Sequence, residues 1–287
     1  MLRIPLLGRT GNNLFQYAFG RAWAERHGAP FLFDASWFNS AGWAEVSHFL
    51  NLPIEAKVRR HPSLASRALR KFTGKHYWEY LGRPVIREKA DDHRFDPSLL
   101  DAPADSVIFG YFQSPLYFES ISGRLRDELN ALISESAVCD ADIKRRLQGP
   151  HSVAVHVRRG DFVTQPVFQV CGHDYYLNAI SHLRARVPGA QFYIFSDDPD
   201  WCRSTFTAPD QTVLGPSAIA PNPLHDLHLM SLASHQIIAN STYSWWAAWL
   251  GKKDHQEVVM PDRWFASTII APVEEKKLPH WKVLSCG

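Results

Sequence analysis

The chain has 287 residues, 45% of them hydrophobic and 13% aromatic, which suits two moderate globular domains and excludes an intrinsically disordered chain. Its formal net charge of +2 provides no global field to recruit nucleic acid. The four cysteines, Cys139, Cys171, Cys202 and Cys286, are widely separated, which argues against a zinc site or a disulfide framework and fits a reducing cytosol.

Met1-Leu2-Arg3-Ile4-Pro5 leads straight into a strand, so no signal peptide is expected. No apolar run approaches the roughly 18 residues needed to span a bilayer. A soluble, cytoplasmic protein is expected; peripheral attachment to a membrane is left open. Leu2 to Leu7 reads as the first strand. The turn Gly8-Arg9-Thr10-Gly11-Asn12-Asn13 follows, and Leu14, Phe15, Ala18 and Ala22 then recur at helical spacing towards Arg26. A strand, a Gly-rich turn and a helix N-terminus form an anion-binding arrangement. The pattern is neither a Walker loop nor a G-x-G-x-x-G fingerprint, and a mere tight turn also accounts for it. Pro30 to Asp34 is a second strand.

From Ala35 to Asp105 the periodicity fades, and Trp37, Trp43, Tyr77, Trp78 and Tyr80 punctuate a stretch suited to the variable part of a substrate site. The run Lys57-Val58-Arg59-Arg60 reads as a solvated face. Val107 to Phe112 returns to strand character and ends in Gln113-Ser114-Pro115. Ile121, Leu125, Leu129 and Leu132 mark a helix. The first domain is expected to end between Ser134 and Pro150, which gives domains 1–148 and 149–287.

Ser152 to Asp161, Ser-Val-Ala-Val-His-Val-Arg-Arg-Gly-Asp, is the stretch around which the second half is organised. Val153, Val155 and Val157 take one strand face, while Ala154, His156 and Arg158 take the other. Ligands sit at the carboxyl ends of strands in α/β sheets, and the planar fork of Arg158 suits a phosphate. Arg159 reads instead as a structural ion pair with Asp161. Tyr176, Ile180, Leu183 and Val187 mark a helix capped by Asp174. Gln191 to Phe195 is a strand that ends in Ser196-Asp197-Asp198-Pro199. Leu224, Leu227, Met230 and Ser234 suggest a helix, and Gln236 to Ala239 a buried strand. Asn240-Ser241-Thr242-Tyr243-Ser244 then opens the apolar helix Trp245–Leu250, and Val258 to Met260 is a last strand. Strands alternating with helices imply parallel sheets covered on both faces, here two Rossmann-like domains with a cleft between them.

Three strand ends in the second half therefore offer His156 with Arg158, Asp197 with Asp198, and the hydroxyls of Ser241, Thr242 and Ser244 at a helix N-terminus. Carboxylates accept from a purine N–H or a ribose hydroxyl, while hydroxyls, free N–H groups and an arginine hold phosphate. Together they describe a nucleoside diphosphate site, although plain helix capping also explains the Ser/Thr cluster. A divalent metal on Asp197 and Asp198 is not expected, because Arg158 supplies the positive charge. His225 and His228 lack further ligands at metal spacing. Trp245 and Trp246 read as packing, with a sugar platform as the alternative.

His156-Val157-Arg158-Arg159-Gly160-Asp161 resembles the H-x-R-R-x-D signature of α1,2- and α1,6-fucosyltransferases and of protein O-fucosyltransferases. Gly8–Ala18, Gly110-Tyr111-Phe112-Gln113-Ser114, Phe195-Ser196-Asp197-Asp198 and Ile237–Leu250 sharpen the resemblance to the α1,2-fucosyltransferases of glycosyltransferase family eleven. Arg9, Thr10 and Asn13 depart from the Gly-Gly-Leu-Gly-Asn-Gln turn of many bacterial members. The resemblance implies an α/β, GT-B-like fold with an acceptor-side domain first and a donor domain second. It implies GDP-fucose as donor, a galactose-terminated oligosaccharide or glycolipid as acceptor, and inverting transfer to a 2-hydroxyl. No metal, no other cofactor and no nucleic acid are implied. By the same resemblance, Arg158 stabilises the leaving β-phosphate, with Asn12 and Arg9 approaching from the first domain. His156 and Asp197 read guanine and ribose, with Asp198 and Asn240 in the donor site. Ser241, Thr242 and Ser244 hold phosphates, and Tyr111 and Gln113 lie on the acceptor side. Asp161 is the available general base, with a phosphate oxygen of GDP as the alternative. A non-catalytic glycan-binding protein and a transferase of another sugar nucleotide are the rival readings.

Overall fold

The structure is a computed structural model that describes residues 1–36, 46–59, 68, 71, 82–89, 94–137, 140–215, 222–266 and 272–287. Trp37, Trp43, Arg60, Tyr77, Trp78, Tyr80 and Cys139 lie outside the described residues. The chain divides into two compact units, Met1–Leu125 and Arg126–Gly287. That division falls earlier than the 148/149 boundary read from the sequence. It lies inside helix α2 (Ser122–Ser136), whose Arg126 and Asn130 donate to the carbonyls of Trp249 and Leu250 at 2.9 and 3.2 Å.

The first unit carries a five-stranded parallel sheet of β1 (Leu2–Pro5), β2 (Phe31–Asp34), β3 (Lys57–Arg59), β4 (Val85–Arg87) and β5 (Val107–Phe109), in the order β3-β2-β1-β5-β4. Helix α1 (Thr10–His27) follows β1 and is buried along its first three turns, with Leu14, Tyr17, Ala18 and Phe19 fully inside. Strand β5 stops at Phe109, earlier than the Val107–Phe112 strand expected, because the chain turns at Gly110–Phe112. Lys57–Arg59, expected as a solvated face, has Lys57 exposed and Val58 and Arg59 half-buried, and it pairs with β2 as an edge strand.

The second unit begins with the rest of α2 and α3 (Ala141–Leu147), then β6 (Ser152–Val157), α4 (Gly160–Thr164), α5 (His173–Arg186), β7 (Gln191–Ser196), α6 (Pro199–Thr205) and β8 (Gln211–Leu214). It continues through α7 (Pro223–Leu232), β9 (His235–Ile237), α8 (Thr242–Leu250), β10 (Val258–Pro261) and β11 (Lys282–Leu284). Its sheet is wholly parallel, in the order β11-β10-β9-β6-β7-β8. Counted from β6 this is 3-2-1-4-5-6, the Rossmann order. All six residues of β6 are buried, as expected for a central strand of a parallel sheet covered on both faces. Helix α5 is capped at Gly172 rather than at Asp174, which sits in its first turn. Trp245, Trp246 and Trp249 are packing residues: each is at most 1% exposed, and Trp245 Nε1 donates to the Lys276 carbonyl at 2.6 Å. Truncating one of them to alanine should cost about 3–5 kcal/mol.

In each unit the strand order reverses next to the first strand. In the first unit the reversal lies between β1 and β5, and in the second between β6 and β9. Ligands bind open parallel sheets at the carboxyl ends of such strands.

Candidate active site

In the second unit the reversal brings together the end of β6 and the turn after β9. Arg158 leaves β6 with its side chain 19% exposed, between two carboxylates. Its Nη2 lies 2.5 Å from Asp161 Oδ1 and its Nη1 2.6 Å from Asp197 Oδ2. The guanidinium also stands 5.4 Å from the Phe162 ring centroid. A guanidinium has five N–H donors, so both pairs together leave donors for a further acceptor. Arg159 turns elsewhere. Its Nε pairs with Asp198 Oδ2 at 2.9 Å, and its guanidinium lies 4.0 Å over the Trp201 ring. The sequence reading paired Asp161 with Arg159; the structure pairs it with Arg158, because three residues of the α4 turn bring Asp161 back beneath the strand end.

Both carboxylates after β7 are engaged within the protein. Asp197 Oδ1 accepts from the backbone N–H groups of Arg159 and Gly160 at 2.9 and 3.1 Å. A Cβ on Gly160 would stand 2.5 Å from Asp197 Oδ2, so only glycine allows this approach. Asp198 caps α6 through Trp201 N at 3.3 Å and grips Arg159. The arginine and the cap hold the Asp198 carboxyl below the usual carboxylate range. All four oxygens therefore accept from the chain and shape the β6 end, so a ligand reaching Asp197 or Asp198 would share them with these donors.

His156 is 7% exposed, and burial with the nearby Arg158 charge pushes its pKa down to about 3. It is a neutral imidazole with Nδ1 buried and unpaired among the described residues, 5.6 Å centroid to centroid from Tyr243. A buried ring nitrogen without a partner fits a ligand-facing group. Asn240 is a clamp: its Nδ2 donates to the carbonyls of Phe168 and Trp264 at 3.1 and 3.0 Å. Ser241 is the N-cap of α8, accepting from Tyr243 N. Ser244 is buried and its hydroxyl donates back to the Ser241 carbonyl at 3.2 Å. Thr242 opens the first turn of α8, half-buried.

One residue escaped the sequence reading. Asp226, in the first turn of α7, has its carboxyl raised to about 6 by burial. Its charge acts on Tyr243, whose hydroxyl donates to the Pro223 carbonyl. Among the described residues no hydrogen-bond donor reaches Asp226. An acidic residue inside the apolar run Leu224–Met230 was the available signal; the flanking His225 and His228 drew attention to metal spacing instead. Among the described residues no group of three or more His, Cys, Asp or Glu side chains is placed to hold a metal ion.

In the first unit the reversal places the β1–α1 turn beside the β5–Gln113 turn. Gly8 takes φ +70, and a Cβ there would lie 2.1 Å from Asn12 Nδ2. Asn12 Oδ1 accepts from Gln113 Nε2 at 3.0 Å. Two buried amides behind them fix the turn. Asn13 Nδ2 donates to the Leu7 carbonyl at 3.0 Å, and Gln16 Nε2 to the carbonyls of Pro5 and Gly110 at 3.1 and 2.9 Å. Arg9 is exposed at the N-cap of α1, and Tyr111 is half-buried beside Glu88.

The chain belongs to glycosyl transferase family 11, whose model matches residues 91–285, more than half of its length. It is a glycosyltransferase, and its two Rossmann-like units in one chain are those of the GT-B architecture. An α-1,2-colitosyltransferase of Escherichia coli is 27% identical over 280 residues, which cover 91% of this chain and 91% of that protein. Galactoside α-(1,2)-fucosyltransferase 1 of Aotus nancymaae is 28% identical over 289 residues, covering 96% and 72%. The crystal structure of the fucosyltransferase NodZ from Bradyrhizobium is similar with a TM-score of 0.47 and 15% identity, covering 86% of this chain and 91% of that one. No helix among the described residues is long and apolar enough to cross a membrane.

Proposed function

We propose that this chain transfers L-fucose from GDP-fucose to the 2-hydroxyl of a terminal β-galactoside, with inversion to an α1,2 linkage and without a metal. The observation that carries the reading is Arg158 at the strand-order reversal of a Rossmann unit, near Tyr243 in the first turn of α8 and the unpaired Nδ1 of His156. The names of the relatives, which specify α1,2 transfer of fucose or colitose, support the donor class and the linkage.

In this reading Arg158 takes the charge that gathers on the β-phosphate as the glycosidic bond breaks. Ser241, Thr242 and the first N–H groups of α8 hold phosphate. Asp226 replaces Asp197 and Asp198 as the carboxylate that accepts from guanine N1–H and the 2-amino group, and His156 lines the same site from the β6 end. The β6 end has two arginines against Asp161, Asp197 and Asp198. A phosphate arriving at Arg158 therefore competes with Asp161 and Asp197 for the guanidinium, and displacing Asp161 frees that carboxylate to act as base. The first unit supplies Asn12 and Arg9, with Tyr111 and Gln113 towards the acceptor, which is a galactose-terminated oligosaccharide or glycolipid.

Incubation with GDP-fucose and a panel of β-galactosides, with the product linkage read by NMR, tests the reading. An α1,2-fucosylated galactose is expected. A colitosyl donor is the second arm, favoured by the relative that matches 91% of the chain; preferential use of GDP-colitose would replace fucose as the donor sugar. GDP binding without turnover of either donor on any acceptor would leave a binding protein.

A further inference from the structure

Glu88, one residue past β4, reaches across to the turn after β5. Its Oε2 accepts from Tyr111 N at 2.7 Å, and its two oxygens accept from Phe112 N at 3.1 and 3.2 Å. Phe112 has φ +51, the one non-glycine residue with positive φ among those described. An L side chain rarely adopts that conformation, so it persists only where the surroundings impose it. Here two restraints impose it. The carboxylate grips two consecutive N–H groups with charge-assisted hydrogen bonds, and the Phe112 ring stacks on Phe19 at 3.9 Å with an interplanar angle of 12°. The left-handed residue immediately precedes Gln113, whose amide meets Asn12.

We infer that Glu88 is a positioning residue: by holding Phe112 in its left-handed turn it aims the Gln113 amide at Asn12 and sets the acceptor side of the reaction. This rests on the proposed placement of Asn12 and Gln113 at the reacting groups. Because Glu88 and both turns belong to the first unit, its loss should leave nucleotide binding in the second unit alone.

The test is Glu88→Gln, alone and combined with Gln113→Ala, with Glu88→Asp as the variant to use if the amide does not fold. An amide keeps one acceptor oxygen but turns an NH2 towards one of the two N–H groups. Glu88→Gln should bind GDP within twofold of the parent while kcat/KM for the acceptor falls at least about tenfold. The double variant should be no worse than Gln113→Ala alone, since residues acting through one another are non-additive. A crystal structure of Glu88→Gln should show residue 112 relaxed to negative φ and the Gln113–Asn12 bond broken. Multiplying kinetic losses, or an unmoved turn with loss of thermal stability alone, would overturn the inference. If the parent enzyme transfers no sugar, the proposed function fails while the crystal structure still decides whether Glu88 holds the turn.

Discussion

Asp197 links Arg158 to the backbone of the next two residues. One of its oxygens lies 2.6 Å from Arg158 Nη1, and the other accepts from Arg159 N and Gly160 N. The charged fork at the end of β6 is thereby tied to the chain that carries it, and the two adjacent arginines are separated in role. Arg158→Lys keeps one charge but loses the fork. It should fold, bind GDP and lose at least about a hundredfold in turnover, the usual range for a donor to a developing oxyanion. Arg159→Lys loses its seat on Trp201 and its Nε bond to Asp198, so it should lower Tm and leave turnover within a few-fold. Thermal melts, a GDP titration and initial rates check both; the reverse outcome would exchange their roles.

Asp161 competes with phosphate for Arg158 if the leaving group binds there. Asp161→Asn removes that competing charge, so GDP should bind more tightly. If the carboxylate is also the base, turnover should fall by roughly 10²–10⁴. Tighter GDP binding with full turnover would move the proton to a phosphate oxygen of GDP.

Guanine readout by Asp226 has a pH signature. Only the carboxylate accepts from both guanine donors, and its pKa is about 6. GDP affinity should therefore rise about tenfold between pH 5 and pH 7, one pH unit being a factor of ten below the pKa. Asp226→Asn should abolish that rise and reduce the preference for GDP over ADP. Calorimetric titration at the two pH values decides it, and an unchanged pH profile in the variant would remove Asp226 from the base site.

Stability should respond in opposite directions to the two buried groups. His156 titrates near 3 in the folded chain against about 6.5 unfolded, so the unfolded state binds the extra proton and stability falls as pH drops through that window. Asp226 titrates near 6 against about 3.9 unfolded; the folded state keeps the proton, and stability falls as pH rises through that window. Each contributes a slope of about 1.4 kcal/mol per pH unit, and between about pH 4 and pH 6 they offset each other. Urea melts should show His156→Gln losing stability with rising pH relative to the parent, and Asp226→Asn gaining it.

Transfer should survive excess EDTA. The four oxygens of Asp197 and Asp198 are held by arginines and backbone N–H groups, and in the proposed reading Arg158 with the α8 N-terminus is the positive charge for the diphosphate. Loss of activity in EDTA, restored by Mg²⁺ or Mn²⁺, would reassign those carboxylates to a cation.

Much of this was legible in one dimension because it is local. Alternation in Ser152–Val157 marks a strand, and Ser241 before Thr242–Leu250 marks a cap; both depend on neighbours within a few residues. The resemblance of the β6 end to fucosyltransferases singled out His156 and Arg158 on the same terms, and both lie at the strand end beside the order reversal. The short strands Lys57–Arg59, Val85–Arg87, Gln211–Leu214 and Lys282–Leu284 were not legible, since three or four half-exposed residues carry no apolar period and become strands by pairing with a neighbour. Partner choice was not legible either. Arg159 meets Asp198, 39 residues away, and Glu88 meets Phe112, 24 residues away, because sheet order brings those strand ends side by side. Sequence alone determined which strand ends carry charge and hydroxyls. Tertiary structure decided which of those groups hold the turns, as Asp197 and Asp198 do, and which keep a buried unpaired atom, as His156 does at Nδ1 and Asn240 at Oδ1. Desolvation and hydrogen-bond satisfaction are properties of the packed neighbourhood, and no residue carries them in its own identity.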